Sequence, residues 1–204
     1  MRKTKEEAEV TREKLLDAAL MVFSKKGYAV ATLDDIAGEA GVTRGALYWH
    51  FKGGKPGVFQ ALIKERSRGV EGIMAEILRS GRSPMKKLED LMIRLLEYME
   101  EDTDYRAVQE VMMFKTEMLP ELASGMEEKY AAQRQSLDLA ESLIEQGKKL
   151  GEVRKDVDSR AAAIAAVGML NGVMIIWLLD DSLYSLKKSA GPVVRTFIKG
   201  LGPK

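Results

Sequence analysis

Residues 32–55, TLDDIAGEAGVTRGALYWHFKGGK, constrain the fold of this chain more than any other stretch. Thr32 suits a helix N-cap, and Asp34 and Asp35 would sit at the positive end of the helix that follows. Ile36, Ala37 and Ala40 give that helix an apolar face, with Ala37 small where a second helix crosses it. Gly41 supplies a left-handed turn residue, Val42 closes the corner, and Thr43 caps a third helix whose inner face carries Leu47 and Phe51. Two short helices joined this tightly make a helix-turn-helix. Thr43, Arg44, Tyr48, His50, Lys52 and Lys55 crowd into thirteen residues that include no acid. A helix with that outer chemistry suits the major groove of DNA.

The rest of the chain is helical in pattern. Leu15, Leu16, Ala19, Val22 and Phe23 share one face of a first helix over 11–26, closed by Gly27. After Gly53-Gly54, Pro56 suits the first turn of a fourth helix over 56–79. A fifth opens at Ser83-Pro84, 100–104 reads as a loop, and a sixth ends near Pro120. A seventh covers 123–146, an eighth runs from its cap Asp158 to 180, and the last spans 183–200. Gly191-Pro192 should kink or split that last helix. The expected fold is all-α with about nine helices: a three-helix DNA-binding domain over 1–55 and a helical effector-binding and dimerisation domain over 56–204.

Composition narrows the function. A hydrophobic fraction of 46% with 31% charged residues describes an ordinary globular protein. There is no cysteine, which removes disulfides and thiolate metal sites and fits a reducing cytoplasm. The net charge of +1 means that DNA binding rests on a local patch: Arg44, Lys52 and Lys55, with Arg2, Lys3 and Lys5 in the N-terminal tail. The N-terminus lacks the apolar stretch of a signal peptide. Residues 161–179 form a nineteen-residue uncharged run, interrupted by polar Asn171 and holding Gly168 and Gly172 at a close-packing spacing. Its length approaches that of a membrane span; its five alanines and the flanking Arg160 and Asp180 favour a buried or dimer-forming helix.

Enzyme chemistry finds no support. His50 is the only histidine and has no ligand-spaced carboxylate or thiolate beside it, so no metal site is expected. Gly53-Gly54-Lys55 lacks the strand and the glycine spacing of a phosphate-binding loop, and no nucleophile–base set stands out. No cofactor is expected.

Thr11-Arg12, the run TLDDIAGEAGVTRGALYWHF, FKTEM at 114–118 and LNGVMIIWLL followed by LKK resemble the TetR family of dimeric bacterial repressors, and its AcrR branch in particular. The resemblance implies an N-terminal three-helix DNA-binding domain, a C-terminal effector pocket and a dimer interface built from the last two helices. It also implies repression of a multidrug efflux pump, with another pathway, such as fatty-acid metabolism, as the alternative. Two departures stand out. Three residues, Lys52, Gly53 and Gly54, separate the His-Phe pair from the fourth-helix lysine where the family usually has two, so either Lys55 or Lys52 is the phosphate lysine. Gly191-Pro192 falls in the dimerisation helix.

The expected DNA-facing set is Thr32, Thr43, Arg44, Gly45, Tyr48, Trp49, His50, Lys52 and Lys55. Arg44 offers the donor fork that pairs with guanine O6 and N7. Gly45 removes a side chain so that the backbone can sit close to the DNA. The resemblance gives Tyr48 and His50 to phosphates, while Trp49 either packs on the first helix or the loop, or touches DNA. Abundant methionine and polar residues on apolar faces suggest a pocket for a small hydrophobic effector. The expected lining is Leu62, Leu88, Leu91, Met92, Leu95, Gln109, Met113, Gln133, Leu137, Val167, Asn171 and Met174. The partners expected are thus double-stranded operator DNA, a hydrophobic effector and a second copy of the chain, with no membrane.

Overall fold

The structure, a computed structural model, describes residues 5–116 and 123–203, with the backbone alone over 123–129. Ten α-helices and no strands occur among the described residues: α1 (Lys5–Lys26), α2 (Leu33–Glu39), α3 (Arg44–His50), α4 (Gly54–Arg66), α5 (Arg68–Arg79), α6 (Pro84–Glu101), α7 (Thr103–Phe114), α8 (Ala123–Lys149), α9 (Ser159–Leu179) and α10 (Leu186–Leu201). The chain divides into two compact units. One holds α1–α4 with nearly all of α7; the other holds α5, α6, most of α8, α9 and α10.

The first unit is built around α1, which buries Leu15, Leu16, Ala19 and Phe23 completely. Leu47 of α3 and Ile36 of α2 close on it from one side. From α4 come Val58, Phe59 and Leu62, and from α7 Val108 and Val111. Phe23, Tyr28 and Phe59 form an aromatic cluster with ring centres 4.9 to 5.5 Å apart. The compact unit therefore does not end at residue 55. The apolar face of α4 has its partners in α1 and the 27–31 loop, and α7 returns to the same core.

Ion pairs bind these helices at the rim. Arg66, at the end of α4, meets Glu13 (3.1 Å) and Asp17 on α1 and Asp104 (3.2 Å) on α7, while Arg12 meets Glu65 at 3.1 Å. At the other end of α7 the Lys115 carbonyl accepts from Tyr28 N–H (2.9 Å), and the Lys115 ammonium donates to the Ser24 carbonyl (2.6 Å).

In the second unit α6 packs on α10. Met85, Leu88, Leu91, Met92, Leu96 and Met99 are buried on α6, and Leu186, Ala190 and Val194 on α10. Glu100 completes the cap of α10 by accepting from the Ser185 hydroxyl (3.0 Å) and from Lys187 N–H (2.7 Å). A Cβ on Gly147 would meet Met85 Cγ at 2.8 Å, so α8 comes up to α6 at a point where no side chain fits.

Three expectations need correction. The helix foreseen over 56–79 breaks at Ser67 into α4 and α5; Ser67 and Gly69 are both poor helix formers, and Tyr98 occupies the space that a Cβ on Gly69 would need. With this break the described residues hold ten helices, against the expected figure of about nine. The loop foreseen over 100–104 is the single residue Asp102, with φ −104° and ψ 104°, whose carboxylate accepts from the Tyr98 hydroxyl. Finally, of the kink or split foreseen at Gly191-Pro192, the split does not occur: α10 runs on through Pro192, with Leu186, Ala190 and Val194 buried on both sides of the proline. The sixth helix's foreseen end near Pro120 lies outside the described residues.

Candidate nucleic-acid interface

The turn between α2 and α3 forms as its residues dictate. Thr32 accepts from Asp35 N–H (3.1 Å), and Asp35 accepts in return from Thr32 N–H (3.0 Å), a reciprocal cap. The Lys26 ammonium, 2.7 Å from the same carboxylate, and the Thr32 contacts push the Asp35 pKa down to about 2. At the far end of α2, Gly41 takes φ +65°, and Val42 N–H returns to the Ala37 carbonyl (3.0 Å). Thr43 caps α3 by accepting from Ala46 N–H at 3.3 Å.

Only Leu47 of α3 is fully inside, helped by Phe51 just past the helix end. Every other side is open or partly open. Arg44 and Gly45 are exposed, Tyr48 is 46% exposed and Trp49 69% exposed. Trp49 thus turns most of its surface to solvent, with the His50 ring 4.6 Å away edge-on. A Cβ on Gly45 would meet nothing nearer than the Thr43 hydroxyl at 3.8 Å, so the fold itself does not require glycine there. Arg44 donates to Asp34 (3.1 Å) on α2 and to the Tyr48 hydroxyl (3.2 Å).

The extra residue before α4 is absorbed by backbone conformation. Gly53 and Gly54 have φ +90° and +65°, a left-handed pair that other residues would strain to adopt. The reversal also lays the Lys52 carbonyl against Gly57, where an added Cβ would come within 2.0 Å of it. The two competing lysines separate as a result. Lys55 turns inward, donating to the carbonyls of Tyr28 (3.0 Å) and Ala29 (3.2 Å), with its ammonium 4.5 Å from the Tyr28 ring centre. Lys52 stays exposed. Of the two candidates for the phosphate lysine, Lys55 is thus engaged by the Tyr28 and Ala29 carbonyls, which lie in a loop with no helix to serve.

The expected effector-lining residues are divided between the two units. Leu62, Gln109 and Met113 belong to the first unit, and the remainder to the second. Leu62 is completely buried in the core with Phe59 and Val58, so it packs the first unit. Met113 is 41% exposed and lines a cleft of about 430 Å³ with Lys25, Val30, Phe114 and Lys115. Leu88, Leu91 and Met92 are buried along α6; Leu95, Leu137, Val167, Asn171 and Met174 are half-buried, as is Gln109, and Gln133 is exposed. Sequence reading missed Asp34 as a partner of Arg44, Gly57 as a close-approach residue and Lys115 as a link to the 24–28 segment. Only Gly57 carried any signal, as a glycine inside a helix.

A family model for bacterial regulatory proteins of the tetR family matches residues 15–62, which take in α2, α3 and most of α4. A second, for the C-terminal region of MAATS-type transcriptional repressors, matches residues 83–203. The chain belongs to the TetR family. Among its relatives, the HTH-type transcriptional regulator AcrR of Shigella flexneri is 31% identical over 199 residues, covering 97% of this chain and 92% of AcrR. The crystal structure of NalD, the secondary repressor of the MexAB-OprM multidrug efflux pump in Pseudomonas aeruginosa, superposes with a TM-score of 0.87 at 27% identity, covering 98% of this chain and all of NalD. The SmeT–triclosan complex gives a TM-score of 0.82 at 28% identity over 96% of this chain and 93% of SmeT. The TetR-type motif lies on the exposed α2–α3 surface, and the chain is a transcriptional repressor of this family.

Proposed function

We propose that this TetR-family protein is a cytoplasmic homodimer that represses a multidrug efflux operon and leaves its operator when a small hydrophobic effector binds. The observation that carries the reading is the outer surface of α3. Arg44, Gly45, Tyr48 and Trp49, followed by Lys52, are exposed around a helix that one leucine anchors to a rigid core. Arg44 reads a base edge, Tyr48, His50 and Lys52 bind phosphates, Thr32 and Thr43 add polar contacts at the helix starts, and Gly45 allows close approach.

Support for the dimer comes from α9. Ala161, Ile164, Ala165, Gly168, Ile176 and Leu179 leave an apolar stripe open, with Ile164, Ile176 and Leu179 all at least half exposed. A Cβ on Gly168 or Gly172 would meet nothing within 4 Å. A stripe of that kind favours burial against its own copy. α9 is also long and apolar enough to cross a membrane, with 21 residues and a mean hydropathy of 2.2 over its most apolar 18-residue stretch; its buried Ala162, Ala163, Ala166 and Trp177 favour the dimer. A two-fold dimer sets the recognition helices about 34–36 Å apart, or a multiple of that, and requires a near-palindromic operator.

The efflux reading rests on NalD, and the effector class on the SmeT–triclosan complex. The effector pocket belongs to the second unit, where half-buried Asn171 on α9 offers an amide among apolar neighbours in the chain. The chain passes between the units directly after α4 and just inside the start of α7, and both helices are rooted in the DNA-binding core. Effector weakens operator binding by the difference in its affinity for the two forms of the protein.

Selection of genomic fragments with purified protein, followed by footprinting, tests the proposal. A protected palindrome upstream of a transporter gene is the expected result. A palindrome elsewhere would move the repressor to another pathway, and no selective binding at low salt would sink the reading.

A further inference from the structure

Arg44 is not a loose surface arginine. Its Nη1 donates to Asp34 Oδ2 at 3.1 Å, its Nη2 donates to the Tyr48 hydroxyl at 3.2 Å, and its guanidinium carbon lies 5.6 Å from the Tyr48 ring centre. Asp34 stands on α2 and Tyr48 one turn further along α3, so both helices of the motif grip the same group. A guanidinium carries five N–H donors in a fixed plane. These two hydrogen bonds leave the others available.

Asp34 also stands in the first turn of α2, at the positive end of its dipole, but makes no capping hydrogen bond there. The reciprocal cap of α2 is made by Thr32 and Asp35. The side chains of the Asp34–Arg44 pair are 67% and 55% exposed, and an ion pair so open to water adds little to stability. Beside a surface that must attract phosphates, a carboxylate also works against affinity.

We infer that Asp34 is a specificity-determining residue: it holds the Arg44 guanidinium in the orientation that reads a guanine. The inference rests on the DNA-binding reading above. Held between Asp34 and Tyr48, the guanidinium has lost much of its rotamer freedom before DNA arrives, so pairing with O6 and N7 requires little further ordering. Opposite a wrong base the same grip keeps the donors from swinging to whichever phosphate is near, and the Asp34 charge repels the backbone. One side chain thereby favours the operator and disfavours other sequences.

Asp34→Asn keeps the size and removes the charge. Fluorescence-anisotropy titrations would compare wild type, Asp34→Asn, Arg44→Ala and the double variant. The DNA set is the footprinted operator, single base-pair changes of it, and a random duplex. Asp34→Asn is expected to lower the operator-to-random affinity ratio about tenfold. The discrimination should vanish at the base pair in each half-site where Arg44→Ala also loses it, and the substitution should no longer matter there once Arg44 is gone. Asp34→Ser, a second variant with the same expectation, serves if the first melts below wild type. An unchanged ratio, an equal change on every sequence, or an effect that persists without Arg44 would overturn the inference. If wild type itself prefers no sequence over the random duplex, the DNA-binding reading has failed instead.

Discussion

Replacing Gly45 with alanine should strengthen the fold and weaken the hold on DNA at once. Gly45 is the second residue of the seven-residue helix α3, has no positive φ, and leaves a new Cβ 3.8 Å from its nearest neighbour, the Thr43 hydroxyl. Alanine in place of glycine inside a helix contributes up to about 1 kcal/mol, and near an end about half of that. For a chain of this size that corresponds to a rise of roughly 1–2 °C in the unfolding midpoint. On DNA the same methyl stands where the backbone should approach. Pushing it back by about a bond length costs on the order of 1 kcal/mol per half-site, or about 2 kcal/mol for a two-fold dimer, roughly a thirtyfold loss of affinity. Calorimetry of the free protein and anisotropy titration with operator give the two numbers separately. A variant that melts higher yet binds as tightly as wild type would refute close approach at Gly45. One that melts lower would refute the open surroundings from which the argument starts.

The two lysines at the start of α4 should part in their salt dependence. Lys52→Ala is expected to flatten the slope of log affinity against log salt by about one per half-site, as loss of a phosphate contact does. Lys55→Met should cost about 1 kcal/mol of stability by releasing the Tyr28 and Ala29 carbonyls, and weaken binding with the slope unchanged; a reversed pattern would restore Lys55 as the phosphate ligand. Leu62→Ala should destabilise the first unit by about 2–5 kcal/mol in denaturant unfolding, and an effect below about 1 kcal/mol would contradict its place in the core. Asp35 ionises with a folded pKa of about 2 against 3.8 for the free group, so its contribution is complete above pH 3.8 and fades as pH falls toward 2. Asp35→Asn should therefore remove part of the acid sensitivity within that window, as read by midpoints of unfolding at successive pH values.

Much of the DNA-binding motif is legible in the residues because its signals are local. Thr32 and Thr43 name the helix starts, Gly41 names the turn, and the cap partner of Thr32 lies three residues away in Asp35. The periodicity of Leu15, Leu16, Ala19 and Phe23 likewise marks which face of α1 goes inside. Features that depend on a distant partner were not legible. The break at Ser67 falls where Gly69 meets a tyrosine on another helix, and no motif in 66–69 announces it beyond weak helix propensity.

By itself, then, the sequence determined most of the helices, several of their caps and the chemistry displayed on α3, because hydrogen bonds three or four residues apart and a 3.6-residue period act over short stretches of chain. Only the tertiary structure decided that Lys55 serves a loop while Lys52 faces out, and that Leu62 belongs to a core. It alone decided that α7 joins the DNA-binding unit and that Asp34 grips Arg44. Those outcomes turn on which groups meet across nine or more residues of intervening chain. Buried apolar faces and unpaired carbonyls are satisfied by whatever the packed fold brings to them, and neither propensity nor spacing encodes that meeting.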